Sequence, residues 1–152
     1  MLKVNDMAPL FALESQNGHV VSLEGLRGQK VIVYFYPKDF TGGCTFQAKS
    51  FAELHNEFIK LGYIVLGISK DDVKSHQKFC KELDLPFTLL SDPTRETIIK
   101  YGVSQDVVMH GDLAIDSRRM TFVIDESGKI THIFPDVDPK TSSAELLALL
   151  RK

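Results

Sequence analysis

Apolar residues along the chain fall into short stretches of two different periods. "VIVYFY" at 31–36 is unbroken, β-branched and aromatic, and stops at Pro37, which predicts a buried strand. From Cys44 the period turns helical: Cys44, Ala48, Phe51, His55 and Phe58 share one face. "YIVLGIS" at 63–69 is a second buried strand. "DDVKSHQKFCKEL" at 71–83 starts on acidic residues and sets Val73, His76, Cys80 and Leu83 on one face, which predicts a helix. "FTLLSD" reads as a short strand and "TRETIIKYG" as a short helix ended by Gly102. "MTFVID" and "KITHIFPD" flank the turn "ESG" as a β-hairpin. "SSAELLALLRK" is an amphipathic helix with a serine cap and a basic end. Near the start, "FALESQNGHVVSL" forms a polar hairpin around Asn17-Gly18, whereas "VSQDVVMHGDLAI" reads as a loop.

Strands alternating with helices, then a closing hairpin and helix, imply an α/β fold with a mixed central sheet flanked by helices. The order βα, βα, ββα is that of a thioredoxin-like core, here with an N-terminal β-hairpin extension. No repeat, low-complexity tract or linker interrupts the chain, so residues 1–152 are expected to form one domain.

Composition narrows the function classes. With 18 basic and 20 acidic residues the net charge is −2, which supplies no electrostatic reason for a nucleic-acid or anionic-membrane partner. No apolar run approaches the roughly 20 residues that span a bilayer, and no signal segment opens the chain, so a cytoplasmic location is expected. Two cysteines, Cys44 and Cys80, do not make a disulfide scaffold; in a reducing compartment a pair is more often transient and catalytic. The histidines (His19, His55, His76, His110 and His132) are scattered without metal-ligand spacing, and neither a metal nor a cofactor is expected.

The chemistry concentrates in "PKDFTGGC", which joins a buried strand to a helix. Helix starts leave backbone N–H groups unpaired, and those donors with the macrodipole favour a thiolate at Cys44. Gly42 and Gly43 allow a tight turn and close approach of a ligand. Thr41 can cap the helix or offer its hydroxyl to the sulfur, and Pro37 stiffens the loop. Lys38 and Asp39 shape and solvate the loop, and Phe40, Phe79 and the 103–115 loop are candidates for the substrate entrance. Thiolate formation alone does little. Lowering a thiol pKa from about 8.5 to about 6 raises the ionised fraction at pH 7 about 30-fold. The accompanying loss of nucleophilicity takes back about tenfold. Enzymes accelerate reactions on the order of a millionfold or more, so fixed donors must stabilise charge on the substrate. Arg118 and Arg119, just before "MTFVID", are the candidate cations. On chemistry alone, a half-buried core cysteine and a glutaredoxin-like single-cysteine reductase also fit this loop.

"YPKDFTGGCTFQ" resembles the PxxxTxxC signature of the peroxiredoxins, with Pro37, Thr41 and Cys44 in its three places. "LGIS" before an acidic-started helix, "LPFTLLSD", "RMTFVID" and "GKI" extend the likeness to the bacterioferritin comigratory protein, or peroxiredoxin Q, branch over nearly the whole chain. The resemblance implies thiol-dependent reduction of hydrogen peroxide and alkyl hydroperoxides by a monomer recycled by thioredoxin or a similar dithiol. It implies that Cys44 attacks the peroxide and becomes a sulfenic acid. Thr41 and Arg119 would bind the peroxide oxygens, and Pro37 would shield the sulfur. Three positions depart from the branch: Lys49 stands where many members carry a second cysteine, Gly42 replaces a proline, and Gln47 replaces a common glutamate.

A subset of the branch places its resolving cysteine in the following helix, and Cys80, 36 residues after Cys44, agrees with that spacing. The expected cycle is then an intramolecular Cys44–Cys80 disulfide. Such a bond needs Cα atoms within about 7 Å, which predicts local unwinding around residues 40–50 and 75–84 before closure. Two alternatives stay open: a one-cysteine peroxidase with Cys80 in the core, and a non-enzymatic thiol redox sensor.

Overall fold

The computed structural model describes residues 1–109 and 111–152; His110 lies outside the described residues. Seven strands form one sheet: β1 (Ala12–Ser15), β2 (Val20–Ser22), β3 (Lys30–Phe35), β4 (Tyr63–Ser69), β5 (Thr88–Ser91), β8 (Met120–Ile124) and β9 (Ile130–Phe134). Between β5 and β8 lie β6 (Ser104–Met109) and β7 (Asp112–Ser117), which form a separate two-stranded sheet. The sheet order is β2-β1-β5-β4-β3-β8-β9. Strands β3, β4 and β5 run parallel, and the remaining neighbours are antiparallel. The helices are α1 (Gly42–Lys60), α2 (Val73–Leu83), α3 (Glu96–Lys100) and α4 (Ser142–Leu150).

Strand β3 is buried on both faces, as an unbroken apolar run requires. Val31, Val33 and Phe35 enter one core with Leu66, Ile68, Ile98, Tyr101 and Phe122. Ile32, Tyr34 and the following Tyr36 enter the other with Cys44, Phe51, Phe58, Phe79, Cys80 and Leu147, which α1, α2 and α4 supply. The period of two along the strand sorts these residues. Tyr34 stacks on Phe51 at 4.7 Å. Gly67 in β4 makes room for it, since a Cβ there would lie 2.8 Å from Tyr34 Cζ. The thioredoxin-like βα, βα, ββα order and the hairpin around Asn17-Gly18 both appear as expected.

Two local expectations are corrected. Within the 103–115 segment, Ser104–Met109 and the start of β7 pair as antiparallel strands rather than forming a loop, with Val108 opposite Leu113 in register and both exposed. Helix α4 is not serine-capped: Thr141 is its N-cap and makes no side-chain cap bond, while Ser142 and Ser143 are buried inside its first turn. Ser142 Oγ is buried and, among the described residues, makes no hydrogen bond, so it does not serve the helix start.

Candidate active site

Residues 36–41 join β3 to helix α1, and Thr41 is the N-cap of that helix. Cys44 therefore sits in the first turn, 1% exposed, with a free thiol. Arg119, entering β8, donates from Nη1 to Cys44 Sγ at 3.2 Å and to Gln47 Oε1 at 3.2 Å. The backbone carbonyl of Arg119 is in turn held by Val137 N–H at 2.9 Å. Arg118 faces away and pairs with Asp136 at 2.7 Å. Of the two candidate arginines, Arg119 is the one brought to the sulfur. Gln47, a turn after Cys44, is fully buried, and its Nε2 has no hydrogen-bond partner among the described residues. A neutral amide here holds the guanidinium without cancelling its charge, so the full positive charge faces Cys44 and whatever binds beside it.

The loop differs from its expected form in three respects. Thr41 holds the N-cap position through its backbone alone: its hydroxyl makes no cap bond and donates to Lys38 O at 3.1 Å instead of to the thiol, and the residue is exposed. The glycine pair is not left-handed; the residue at φ +67° is Phe40, whose ring rests edge-on against the buried Phe79 at 5.1 Å. Gly42 lies in open space, whereas a Cβ on Gly43 would come within 3.0 Å of Arg119 Nη2. Gly43 thus serves the close approach of the guanidinium, and the turn is made one residue before Thr41. Pro37 is half-buried, and its carbonyl accepts from Lys70 Nζ at 2.8 Å. Lys70 also forms a buried ion pair with Asp116 of β7 at 2.6 Å. Hence the β6–β7 hairpin is tied to the loop rather than draped over it.

Asp39 was expected to be a solvated loop residue, but it is 2% exposed. Its carboxylate accepts from Tyr36 Oη at 2.7 Å and Ser75 Oγ at 2.8 Å, and it meets His76 Nδ1 at 2.7 Å. Its own N–H donates to Asp71 Oδ2 at 2.8 Å. Asp39, Asp71 and His76 bring one ligand-type atom each within 4.8 Å of the others. Those atoms are already engaged by serine, backbone and imidazole donors, so the cluster reads as a hydrogen-bonded joint and not as a vacant coordination sphere. The signal in the sequence was His76 on the apolar stripe of α2, because a buried imidazole must find partners.

Cys80 lies one turn beyond His76, buried and unbonded to Cys44. Burial first, and the charge of Asp39 second, push its thiol up to about 12. Both α1 and α2 are intact around the two sulfurs. The structure therefore brings Cys44, Arg119 and Gln47 together, keeps Pro37 in the adjoining loop, and holds Cys80 apart on a second helix.

Residues 4–133 match the AhpC/TSA family. A Coxiella burnetii protein named peroxiredoxin bcp is 44% identical over 98% of this chain and 99% of its own length. Peroxiredoxin Bcp of Escherichia coli (strain K12) is 42% identical over 93% of this chain and 90% of its own. A structure of the Xanthomonas campestris bacterioferritin comigratory protein, described with an alkyl peroxide reduction activity, superposes with a TM-score of 0.86 at 30% identity. It covers 93% of this chain and 90% of that one. Two further Xanthomonas campestris peroxiredoxin Q structures carry single cysteine-to-serine mutations at positions 36 residues apart.

Proposed function

The chain belongs to the AhpC/TSA family, and from that premise we propose a cycle in which Cys44 and Cys80 reduce hydrogen peroxide and alkyl hydroperoxides through an intramolecular disulfide. Thiol peroxidase activity follows from its peroxiredoxin relatives. The observation that carries the assignment of roles is the 3.2 Å contact between Arg119 Nη1 and the buried Cys44 Sγ.

In the first step the Cys44 thiolate attacks one peroxide oxygen. The S–O bond forms, the O–O bond breaks, and the departing oxygen takes a proton to leave as water or an alcohol. Arg119 holds the thiolate and stabilises the negative charge that grows on the oxygens, with the unpartnered Gln47 amide as a further donor close by. Thr41 takes part after turning its hydroxyl from the Lys38 carbonyl toward the bound peroxide, and Pro37 limits water around the sulfur.

In the second step the Cys80 thiolate attacks the sulfenic sulfur; S–S forms, S–O breaks, and water leaves. At a thiol pKa of about 12 Cys80 is a poor nucleophile inside α2. Release into solvent, where a thiol titrates near 9, raises its ionised fraction about a thousandfold at neutral pH. Burial and intact helices thus make local unfolding of both segments part of the cycle. The 36-residue separation of the mutated cysteines in the Xanthomonas campestris protein equals that of Cys44 and Cys80, which supports the pairing. A dithiol reductant of the thioredoxin type then restores both thiols.

Free-thiol titration after one equivalent of hydrogen peroxide tests this cycle. Loss of both thiols in a species that stays monomeric supports it; loss of one alone, with turnover preserved in Cys80→Ser, leaves a one-cysteine peroxidase.

A further inference from the structure

Two groups that the chemistry above does not use stand between the segments that have to separate. His76 is fully buried, and its Nε2 lies 3.0 Å from the carbonyl of Leu90. A carbonyl only accepts, so Nε2 carries a hydrogen. The other ring nitrogen, Nδ1, faces Asp39 Oδ2 at 2.7 Å. An imidazole lone pair and a carboxylate cannot approach so closely without a proton between them, so the pair holds one proton and closes a buried, charge-assisted bond.

This bond joins the two moving parts. Asp39 lies five residues before Cys44, in the segment leading into α1, and His76 lies one turn before Cys80 on the same face of α2. Three more bonds run alongside it: Ser75 Oγ to Asp39 at 2.8 Å, Asp39 N–H to Asp71 at 2.8 Å, and Lys70 to the Pro37 carbonyl at 2.8 Å. Of these, only Ser75 and His76 belong to α2 itself. While that turn stays fastened to Asp39, the helix carrying Cys80 is held against the segment that carries Cys44.

We propose that the Asp39–His76 pair is the latch that sets how fast Cys80 closes onto oxidised Cys44, with His76 as a positioning residue acting through Asp39. The proposal rests on Cys80 being the resolving cysteine. The atoms and electrons of closure are those given above, and the latch adds no reactant; it governs only the opening that precedes the S–S bond.

Rapid mixing with one equivalent of hydrogen peroxide, followed by timed quenching with a sulfenic-acid trap and a thiol alkylator, separates the two rates by mass spectrometry. His76→Leu fills the space without a hydrogen bond. Closure should accelerate about tenfold, the loss expected for one charged hydrogen bond. The rate of sulfenic acid formation should stay within about twofold, because His76 touches neither sulfur nor substrate. The peroxide dose that drives Cys44 to sulfinic acid should rise by the same factor as closure. His76→Asn, which keeps a donor near Nδ1, should return closure toward the wild-type rate. A residue that merely supports the fold would show no such selective rescue. Ser75→Ala removes the weaker bond on the helix surface and should accelerate closure about threefold; it decides the matter should His76→Leu fail to fold. Unchanged or slower closure in these variants, with closure abolished by Cys80→Ser, overturns the latch and leaves the resolving role standing. A wild-type protein that never loses its second thiol overturns the resolving role, and the latch with it.

Discussion

Cys44 and Cys80 share one apolar core yet live in opposite surroundings. Cys44 has a guanidinium nitrogen 3.2 Å from its sulfur, an amide beside that nitrogen, and the start of a 19-residue helix around it. Cys80 has an apolar helix face and the charge of Asp39 nearby; burial first and that charge second hold it protonated. Burial is therefore not the property that separates a reactive thiol from an inert one; the donors enclosed with it are. In the proposed cycle such a pair sets an order of events, in which the sulfur already beside donors reacts first and the other has to be uncovered.

The comparison breaks most completely at Cys44 itself. Cys44→Ser should abolish peroxide consumption, a loss on the order of a millionfold, while Cys80→Ser retains a single turnover; a peroxide-consumption assay with a thioredoxin system reads both. Arg119→Ala should slow sulfenic acid formation by about 10²–10³ and leave the reactivity of Cys80 toward an alkylating agent unchanged. Single-turnover kinetics measure that step. A sharper probe of the same contact is the glycine pair. Gly43→Ala pushes the guanidinium aside by a few tenths of an ångström and should cost about tenfold in the same step, whereas Gly42→Ala meets nothing within 4 Å and should leave the rate alone. The smallest effect is on stability. Burial raises the folded-state Cys80 thiol to about 12, so the unfolded chain loses that proton first as pH climbs past about 9. The Cys80 contribution is complete below that pH and declines up to about 12. Denaturant midpoints at about pH 8 and about pH 10 should differ less in Cys80→Ser than in the wild type.

Most of the scaffold was legible because its signals were strong and local. The run at 31–36, the helical period from Cys44 and the "ESG" hairpin each carry one period over their whole length. The β6–β7 hairpin escaped because Val108, Leu113 and Ile115 are exposed, with Val108 and Leu113 opposite each other, so these positions do not pattern a buried face. At the site, Cys44 was legible from its junction, but Arg118 and Arg119 could not be told apart. Adjacent residues entering a strand point to opposite sides, and only the register of β8 against β3 shows which one meets α1. The Asp39–His76 joint spans 37 residues of sequence with no spacing rule to announce it. Thr41 was assigned by its place in a signature, and its hydroxyl engages Lys38 instead. A motif fixes residue identity more firmly than it fixes a rotamer.

Lys70 has two acceptors in different parts of the molecule, the Pro37 carbonyl in the reactive segment and Asp116 in the outlying hairpin. Any excursion of residues 36–40 removes the first and leaves the ion pair to find a new balance. In the proposed cycle the hairpin would therefore act as an indicator, because its anchorage through Lys70 would differ between a folded and an opened Cys44 segment. Amide exchange in 104–108 and 112–117 would read the redox state of the enzyme at a distance from its sulfur.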